Sequence, residues 1–265
     1  MDILEKLPEE DPQKRVFIAK CIRWTESCGV SATGSPQLHH LLGIMFWKGI
    51  CLFSNTFIIK QYEYIEGKYL DAERRFLLGT RADSPISWAR MLFSIYIQDK
   101  FYTEKEEDKR EETKSRKQRL FPSAVPVGRY IARAVLHYLA RGDHRAAHLA
   151  FKSFSTLVIA YDSTCVTDTP ANIQRDPEQP EDIAQVPVFH DKWMNLCQLL
   201  LEVTRRDARD VFVLVKDAYR IDLGQDQEAA KMIEGIGELY FGIQPPRNTP
   251  GAPFQQLMAS LFSGV

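Results

Sequence analysis

Apolar residues recur every three to four positions along most of this chain, which is the period of an α-helix that buries one face. The pattern predicts a series of one-sided helices. Their apolar faces are marked by Leu38, Leu41, Leu42 and Met45; by Trp88, Met91, Leu92 and Ile95; by Ile131, Val135, Tyr138 and Leu139; and by Phe189, Trp193, Leu196, Cys197, Leu200 and Leu201. Two more follow, marked by Met232, Ile233, Ile236 and Tyr240, and by Phe254, Leu257, Met258 and Leu261. We therefore predict an all-α fold.

Helix starts are indicated at three places, where a capping side chain precedes a proline. These are Asp11-Pro12, Ser35-Pro36 and Ser84-Pro85. The side-chain oxygen can accept a hydrogen bond from the first turn, and the fixed φ of proline suits the first helical position.

One segment, Asp210 to Lys216, is rich in β-branched residues and could be a buried strand. However, Ala208, Val211, Phe212, Val215 and Tyr219 fall on one helical face, so we predict helix there. With this segment assigned to a helix, no strand pair is predicted in the chain.

A weak internal repeat suggests how the helices are arranged. Gly67 is followed by Ala72 and Phe76, and Gly142 by Ala147 and Phe151, both with the spacing G-x-x-x-x-A-x-x-x-F. In paired-helix repeats the glycine permits a tight turn, the alanine allows close approach and the phenylalanine fills a groove. We predict a single domain over residues 1–265, an α-solenoid of tetratricopeptide-like helical hairpins. Two helical hairpins that share these residues by chance remain the alternative.

Two stretches lack the apolar period. Residues 100–120 are almost entirely charged or polar, which favours a solvated helical extension. Residues 162–186 contain many Thr, Pro, Asp and Gln residues and predict a long acidic loop.

Overall charge argues against nucleic acid as a partner. Thirty-four Lys and Arg residues stand against 35 Asp and Glu, for a net charge of −1. Such a chain has no global basic field to attract a phosphate backbone. The five cysteines are scattered and lack C-x-x-C spacing, which fits reduced thiols in the cytosol.

Membrane insertion and export are not predicted either. Leu41 to Ile59 is long enough to span a bilayer, but Lys48, Ser54, Asn55 and Thr56 interrupt it. The first ten residues lack the features of a secretory signal.

Candidate chemistry is sparse. His39 and His40 are adjacent and point about 100° apart on a helix, which predicts one packed and one exposed histidine. His144 and His148 share a helix face beside Asp143, but two histidines do not complete a metal site. No nucleophile elbow, phosphate-binding loop or dinucleotide fingerprint is present, and Gly235 and Gly237 are interpreted as packing glycines. We predict no enzyme, no catalytic residues, no cofactor and no metal.

Several stretches, in order along nearly the whole chain, resemble the Golgi-to-ER traffic protein 4 family. They are Arg15 to Trp24, Ser35 to Trp47, Glu66 to Thr80, Tyr130 to Leu139, Glu238 to Pro246, and Leu257 to Phe262. The resemblance implies an α-solenoid adaptor of the cytosolic pathway that delivers tail-anchored proteins to the endoplasmic reticulum. It also implies two partners: a targeting ATPase bound by N-terminal helices, and a ubiquitin-like protein, with its co-chaperone module, bound by the C-terminal half.

The resemblance places the ubiquitin-like partner on the C-terminal helices and the acidic loop before them. The corresponding candidate residues are Phe189, Trp193, Leu196, Leu200, Met232, Ile236, Leu239, Phe241 and Ile243.

This chain departs from the family in two ways. Family members carry several helices before the segment that matches Asp11 to Trp24, so we expect weak or absent ATPase binding. Residues 49–65 interrupt what the family has as a short turn; our hypothesis is a retained intron or gene-model error, and a lengthened helix or exposed loop is expected if the insert is genuine.

One alternative from another class stays open, namely a structural helical-repeat subunit of a large assembly. Phe241-Gly242-Ile243 followed by Pro245-Pro246 favours the adaptor family, which shares this segment.

Overall fold

The computed structural model describes residues 12–29, 31–53, 62–79, 81–112, 125–174 and 183–244. Within these ranges the chain forms ten α-helices and one short 3-10 turn, which confirms the predicted all-α fold. The helices are α1 (Pro12–Ser27), α2 (Pro36–Phe53), α3 (Tyr62–Leu78), α4 (Asp83–Glu112), α5 (Val127–Ala140), α6 (His144–Tyr161), α7 (Lys192–Arg205), α8 (Arg209–Ala218), α9 (Arg220–Gly224) and α10 (Gln227–Phe241).

Neighbouring helices pack in a layered array around one main core. α2 packs on α3, α4 on α6, and α5 on α6, α7 and α10. The largest fully buried side chains of this core include Trp88, Tyr138, Phe76 and Phe154. Tyr138 links two layers directly, since its hydroxyl donates to the carbonyl oxygen of Phe76 at 3.1 Å.

The buried positions predicted from the repeat motif are confirmed, but only one of its two glycines lies in a turn. Ala72, Phe76, Ala147 and Phe151 are all buried. Gly142 lies in the turn between α5 and α6 with φ of 76°, a conformation that favours glycine. Gly67 instead lies inside α3, so the first copy of the motif does not begin at a turn.

The predicted helix starts agree closely with the structure. α1 begins at Pro12 and α2 at Pro36. α4 begins at Asp83, two residues before Pro85. α8 confirms the helical interpretation of Asp210 to Lys216, with Phe212 and Val215 buried. The pattern from Phe254 to Leu261 lies outside the described residues.

The two unusual stretches are helical where they are described. α2 continues to Phe53 and α3 starts at Tyr62, so both ends of the 49–65 insert have helical backbone. Residues 54–61 lie outside the described part. α4 runs on to Glu112, as predicted for the charged extension. No helix in the described ranges is long and apolar enough to cross a membrane.

The prediction that no strand pair exists was wrong. Within the expected acidic loop, β1 (Ala171–Gln174) pairs antiparallel with β2 (Ile183–Val186), and Ala171 faces Val186 across the ladder. Each strand has only four residues, with sequences ANIQ and IAQV. Such segments are too short to show the alternation of apolar and polar residues that identifies a strand.

His39 links α2 to α3 and to the loop before α2 through a neutral imidazole. Its Nε2 lies 2.7 Å from the carbonyl oxygen of Thr33, so Nε2 carries the proton and donates. Its Nδ1 then accepts from Nη1 of Arg75 at 3.4 Å. One histidine of the pair was predicted to be exposed, but His40 is also largely buried, and its Nδ1 lies 3.0 Å from Oγ of Ser84.

We predict that acid destabilises this region through His39. Burial lowers the pKa of His39 below 6.5, so the folded state binds a proton less readily than the unfolded chain. Folding stability should therefore fall as the pH drops below about 6.5. In chemical denaturation, the difference in unfolding free energy between wild type and His39→Gln should narrow from pH 7.5 to pH 5.5, on either side of the ordinary histidine pKa of 6.5.

Two details sharpen this test. The pKa values of His40 and His148 are also lowered by burial, so the variant keeps part of the acid sensitivity. His190→Gln changes an exposed side chain, so its unfolding free energy should depend on pH as that of the wild type does. A gap that is constant or widens on acidification would contradict the assignment to His39.

Candidate partner-binding site at the β-hairpin

The β-hairpin is joined to the helical array through a short ribbon at its base. The amide of Thr167 donates to the carbonyl oxygen of Val188 at 2.8 Å, and the amide of His190 donates to that of Cys165 at 3.0 Å. Val166 and Phe189 form an isolated bridge between these bonds. The ribbon thus continues the two strands back to the end of α6 and the start of α7.

Asn195, in the first turn of α7, clamps this base. Its Oδ1 accepts from the amide of Phe189 at 2.9 Å, and its Nδ2 donates to the carbonyl oxygen of Phe189 at 2.7 Å. Both backbone polar groups of one residue are therefore held by one side chain. Asp191 caps the same helix by accepting from the amide of Met194 at 3.0 Å. The base of the hairpin is therefore held against the first turn of α7.

The ring of Phe189 anchors the clamp in the core. Only 3% of Phe189 is exposed, and its ring meets that of Phe151 edge to face, with centroids 6.2 Å apart. Gln198, one turn beyond Asn195, adds a bond from Nε2 to the carbonyl oxygen of Pro187 at 3.2 Å. The strands themselves are short, and an isolated two-stranded hairpin is only marginally stable, so these contacts keep the hairpin in place.

This arrangement can accept an extended peptide. In a two-stranded sheet each strand pairs along one side only, and neither outer edge has a sheet partner among the described residues. Unpaired amide and carbonyl groups on an edge strand are a template for a further strand. Binding of this kind needs no catalytic group.

Six of the nine candidate partner residues are buried in the core. They are Phe189, Trp193, Leu196, Leu200, Ile236 and Phe241, none more than 8% exposed. The apolar period identified the face that each helix buries, but it could not show that neighbouring helices cover that face. Trp193 is an example of a covered residue, since the Arg129 guanidinium lies over its ring, 5.3 Å from the ring centroid.

The other three candidates are more accessible. Met232 and Ile243 are half-buried, and Leu239 is 54% exposed. On α7, the exposed apolar residue is Leu199 at 37%, which the pattern did not single out. Partner binding by the nine residues stays a prediction. The buried six can contribute by supporting the hairpin and α7, without touching a partner themselves.

Asn195 is the residue that sequence reasoning missed. Its neighbours one turn away on α7 include the polar residues Lys192 and Gln198, so the sequence pattern carries no signal that sets it apart.

His144, one of the two histidines on α6, has a structural role. Nε2 of His144 lies 2.8 Å from the carbonyl oxygen of Leu201, which ties α6 to α7. Within the described residues, no group of three His, Cys, Asp or Glu side chains is placed to hold a metal ion.

Comparison with known proteins identifies the family. The family profile described as Golgi to ER traffic protein 4 matches residues 1–262. The chain belongs to this family. The Golgi to ER traffic protein 4 of Aspergillus fumigatus is 24% identical over all of this chain, which spans 62% of that relative's length. The human homologue is 22% identical over 98% of this chain and 60% of its own length.

A solved structure supports the same family assignment. The crystal structure of C. therm. Get4 superimposes with a TM-score of 0.66 and 25% identity, over 99% of this chain and 67% of that chain. The helical array described above is therefore the fold of this family. Since this chain spans about three-fifths of the length of the Aspergillus relative, the activity and partners of the whole protein are proposals for it.

Proposed function

We propose that this chain is a cytosolic adaptor in the post-translational delivery of tail-anchored proteins to the endoplasmic reticulum, and that it acts without covalent chemistry. Family membership over residues 1–262 supports the pathway. The clamped β-hairpin supports the mode of action, because it offers backbone edges to an extended segment of a partner protein.

The proposed partner at the hairpin is the ubiquitin-like protein of the pathway. A partner strand could pair with the outer edge of β1 or β2, while its side chains contact exposed apolar residues nearby. Leu199 on α7 lies one residue beyond Gln198, which bonds to the hairpin base, and so is placed for such a contact. Main-chain hydrogen bonds would supply affinity, and the neighbouring side chains would supply selectivity.

The second proposed partner is the targeting ATPase, and the ubiquitin-like protein would bring a co-chaperone that carries the client. An adaptor that holds donor and acceptor together makes client transfer nearly intramolecular. The rate of transfer then depends on the effective concentration set by the scaffold.

Separate pull-downs test the two interactions. The chain is immobilised and exposed to the purified ubiquitin-like protein and, in a second experiment, to the purified ATPase. We expect the ubiquitin-like protein to be retained. A folded chain that retains neither protein at micromolar concentration would contradict the adaptor proposal, whereas retention of both would place the whole bridge within these 265 residues.

A further inference from the structure

Four serine or threonine residues of this chain directly precede a proline. They are Ser35, Ser84, Thr169 and Thr249. Such a dipeptide is the motif that proline-directed protein kinases modify, and the residue before a proline favours the extended backbone in which a kinase binds its substrate. A hydroxyl that a kinase can reach in the folded chain must be exposed, free of structural hydrogen bonds and outside a helix. Thr249 lies outside the described residues, so the comparison concerns the other three.

Ser84 and Ser35 do not meet these conditions, because each is built into the start of a helix. Ser84, in the first turn of α4, is fully buried, and its Oγ lies 3.0 Å from Nδ1 of His40. Ser35 directly precedes α2 and is half-buried, and its Oγ accepts from the amide of Leu38 at 3.5 Å. A kinase could reach either hydroxyl only after the start of the helix unfolds.

Thr169 meets all three conditions. Thr169 and its neighbours Asp168 and Pro170 are exposed, and none of the three belongs to a helix or a strand. The carbonyl oxygen of Thr169 accepts from Oγ1 of Thr167 at 3.1 Å, but the hydroxyl of Thr169 has no hydrogen-bonding partner among the described residues. This hydroxyl is therefore available for modification.

A bulge in the hairpin accounts for this exposure. The amide of Thr167 donates to Val188 on one side of the bulge, and Ala171 pairs with Val186 on the other. Between these two pairs, residues 168–170 stand opposite a single proline of the other strand. The extra residues of a bulge are left out of the ladder. A kinase can therefore draw this segment into its active site without opening the helical core.

We propose that Thr169 is a phosphorylation site for a proline-directed kinase, and that the phosphate weakens partner docking at the hairpin. In the reaction, Oγ1 of Thr169 forms a bond to the γ-phosphorus of ATP, and the bond from that phosphorus to the β–γ bridging oxygen breaks. ADP leaves, and the hydroxyl proton passes to the catalytic aspartate of the kinase. The site itself is independent of the proposed function, whereas the effect on docking rests on it.

The phosphate enters a stretch of chain that is already acidic. Residues 162–182 contain six acidic residues and one basic residue, Arg175. A phosphothreonine adds a charge of about −1.5 to −2 at pH 7, which a single local cation does not neutralise. Charged groups on a strand edge oppose the addition of a further strand. A phosphate next to β1 therefore disfavours the docking that the proposed function requires.

Phosphorylation of the folded chain tests the site. The chain carries Thr249→Val, which removes the motif outside the described residues, and it is incubated with ATP and a purified cyclin-dependent or mitogen-activated protein kinase. Peptide mass spectrometry measures the rate at each hydroxyl. Each rate is divided by that of a synthetic peptide with the same sequence, which corrects for the kinase's own preference. The corrected rate at Thr169 should exceed those at Ser35 and Ser84 at least about tenfold, because each serine requires local unfolding first.

Two results of this experiment would overturn the site. One is a folded chain in which Thr169 stays unmodified, whether or not its peptide reacts. The other is a corrected rate at Ser35 or Ser84 that equals the rate at Thr169, since the fold would then not select the acceptor.

Titration calorimetry with the ubiquitin-like protein, before and after phosphorylation, tests the effect on docking. The phosphorylated chain should bind about fivefold or more weakly than the unmodified chain. Thr169→Val keeps the shape of the side chain and lacks the hydroxyl, so kinase treatment should leave the affinity of this variant unchanged. Equal or tighter binding after phosphorylation of Thr169 would overturn the effect. An unmodified chain that does not bind at all would contradict the proposed function, and the effect on docking with it, while the mass spectrometry would still decide the site.

Discussion

Replacing Gly128 with alanine is expected to destabilise the fold by about 2 kcal/mol or more, because the new methyl group has no space. Gly128 lies in the first turn of α5, against the N-terminus of α7. A Cβ at this position would lie 2.7 Å from the carbonyl carbon of Trp193, and it would also overlap the amide nitrogen of Met194 and Oδ1 of Asp191. Two of these three atoms belong to backbone, so they cannot rotate away. Chemical denaturation followed by circular dichroism measures the loss.

Gly235→Ala is the matched control. Gly235 is also a helical glycine, in α10, but a Cβ there would meet no atom within 4 Å. Because alanine favours helix over glycine by about 1 kcal/mol, this variant should be as stable as the wild type or more stable. Equal losses in the two variants would contradict the close contact between α5 and α7.

Asn195→Ala is expected to weaken binding of the ubiquitin-like partner by about tenfold or more while the helices stay folded. The change leaves the amide and carbonyl of Phe189 without their side-chain partner, at a cost of about 1–3 kcal/mol per unsatisfied buried group. The hairpin would then be docked in only a fraction of molecules, and the apparent affinity falls by that fraction. Titration calorimetry measures the affinity, and circular dichroism verifies the helical content.

Gln198→Ala provides the comparison in the same helix. Gln198 makes a single exposed hydrogen bond to the hairpin base, at 3.2 Å. Its loss should cost a few tenths of a kcal/mol and leave partner binding nearly unchanged. If Gln198→Ala weakened binding as much as Asn195→Ala, the clamp would not be the cause.

The periodicity of apolar residues was sufficient to predict the helical architecture. Helices such as α5 bury Ile131, Val135 and Leu139 on the face that the sequence marks. Even the β-branched segment of α8 follows this rule, because its apolar residues fit a helical face better than an alternating strand. Local spacing carries this information without knowledge of neighbouring helices.

The candidate site was harder to predict, because it depends on contacts between distant segments. Phe189 and Trp193 looked suitable for a partner, yet the array buries them. The same period describes an apolar face whether a helix of the same chain or a second protein covers it. The hairpin escaped prediction because four-residue strands have almost no pattern. Its base is held by Asn195 and Phe151, which lie outside both strands, on α7 and α6.

Two glycines of α10 also show that the sequence does not reveal which residues a position packs against. Gly235 and Gly237 were both interpreted as packing glycines. Gly237 is one, since an added Cβ would lie 2.9 Å from the ring of Phe212, whereas Gly235 faces open space. The two glycines are two positions apart in the sequence, and they differ only in which residues the fold packs against them.

Amide hydrogen exchange, with and without the ubiquitin-like protein, shows whether the partner docks on the hairpin. We predict that partner binding slows exchange in Ala171–Gln174 and Ile183–Val186, the two strands of the hairpin, more than in α1 or α2. Partner binding that leaves exchange in both strands unchanged would contradict the proposal that the hairpin is the docking site.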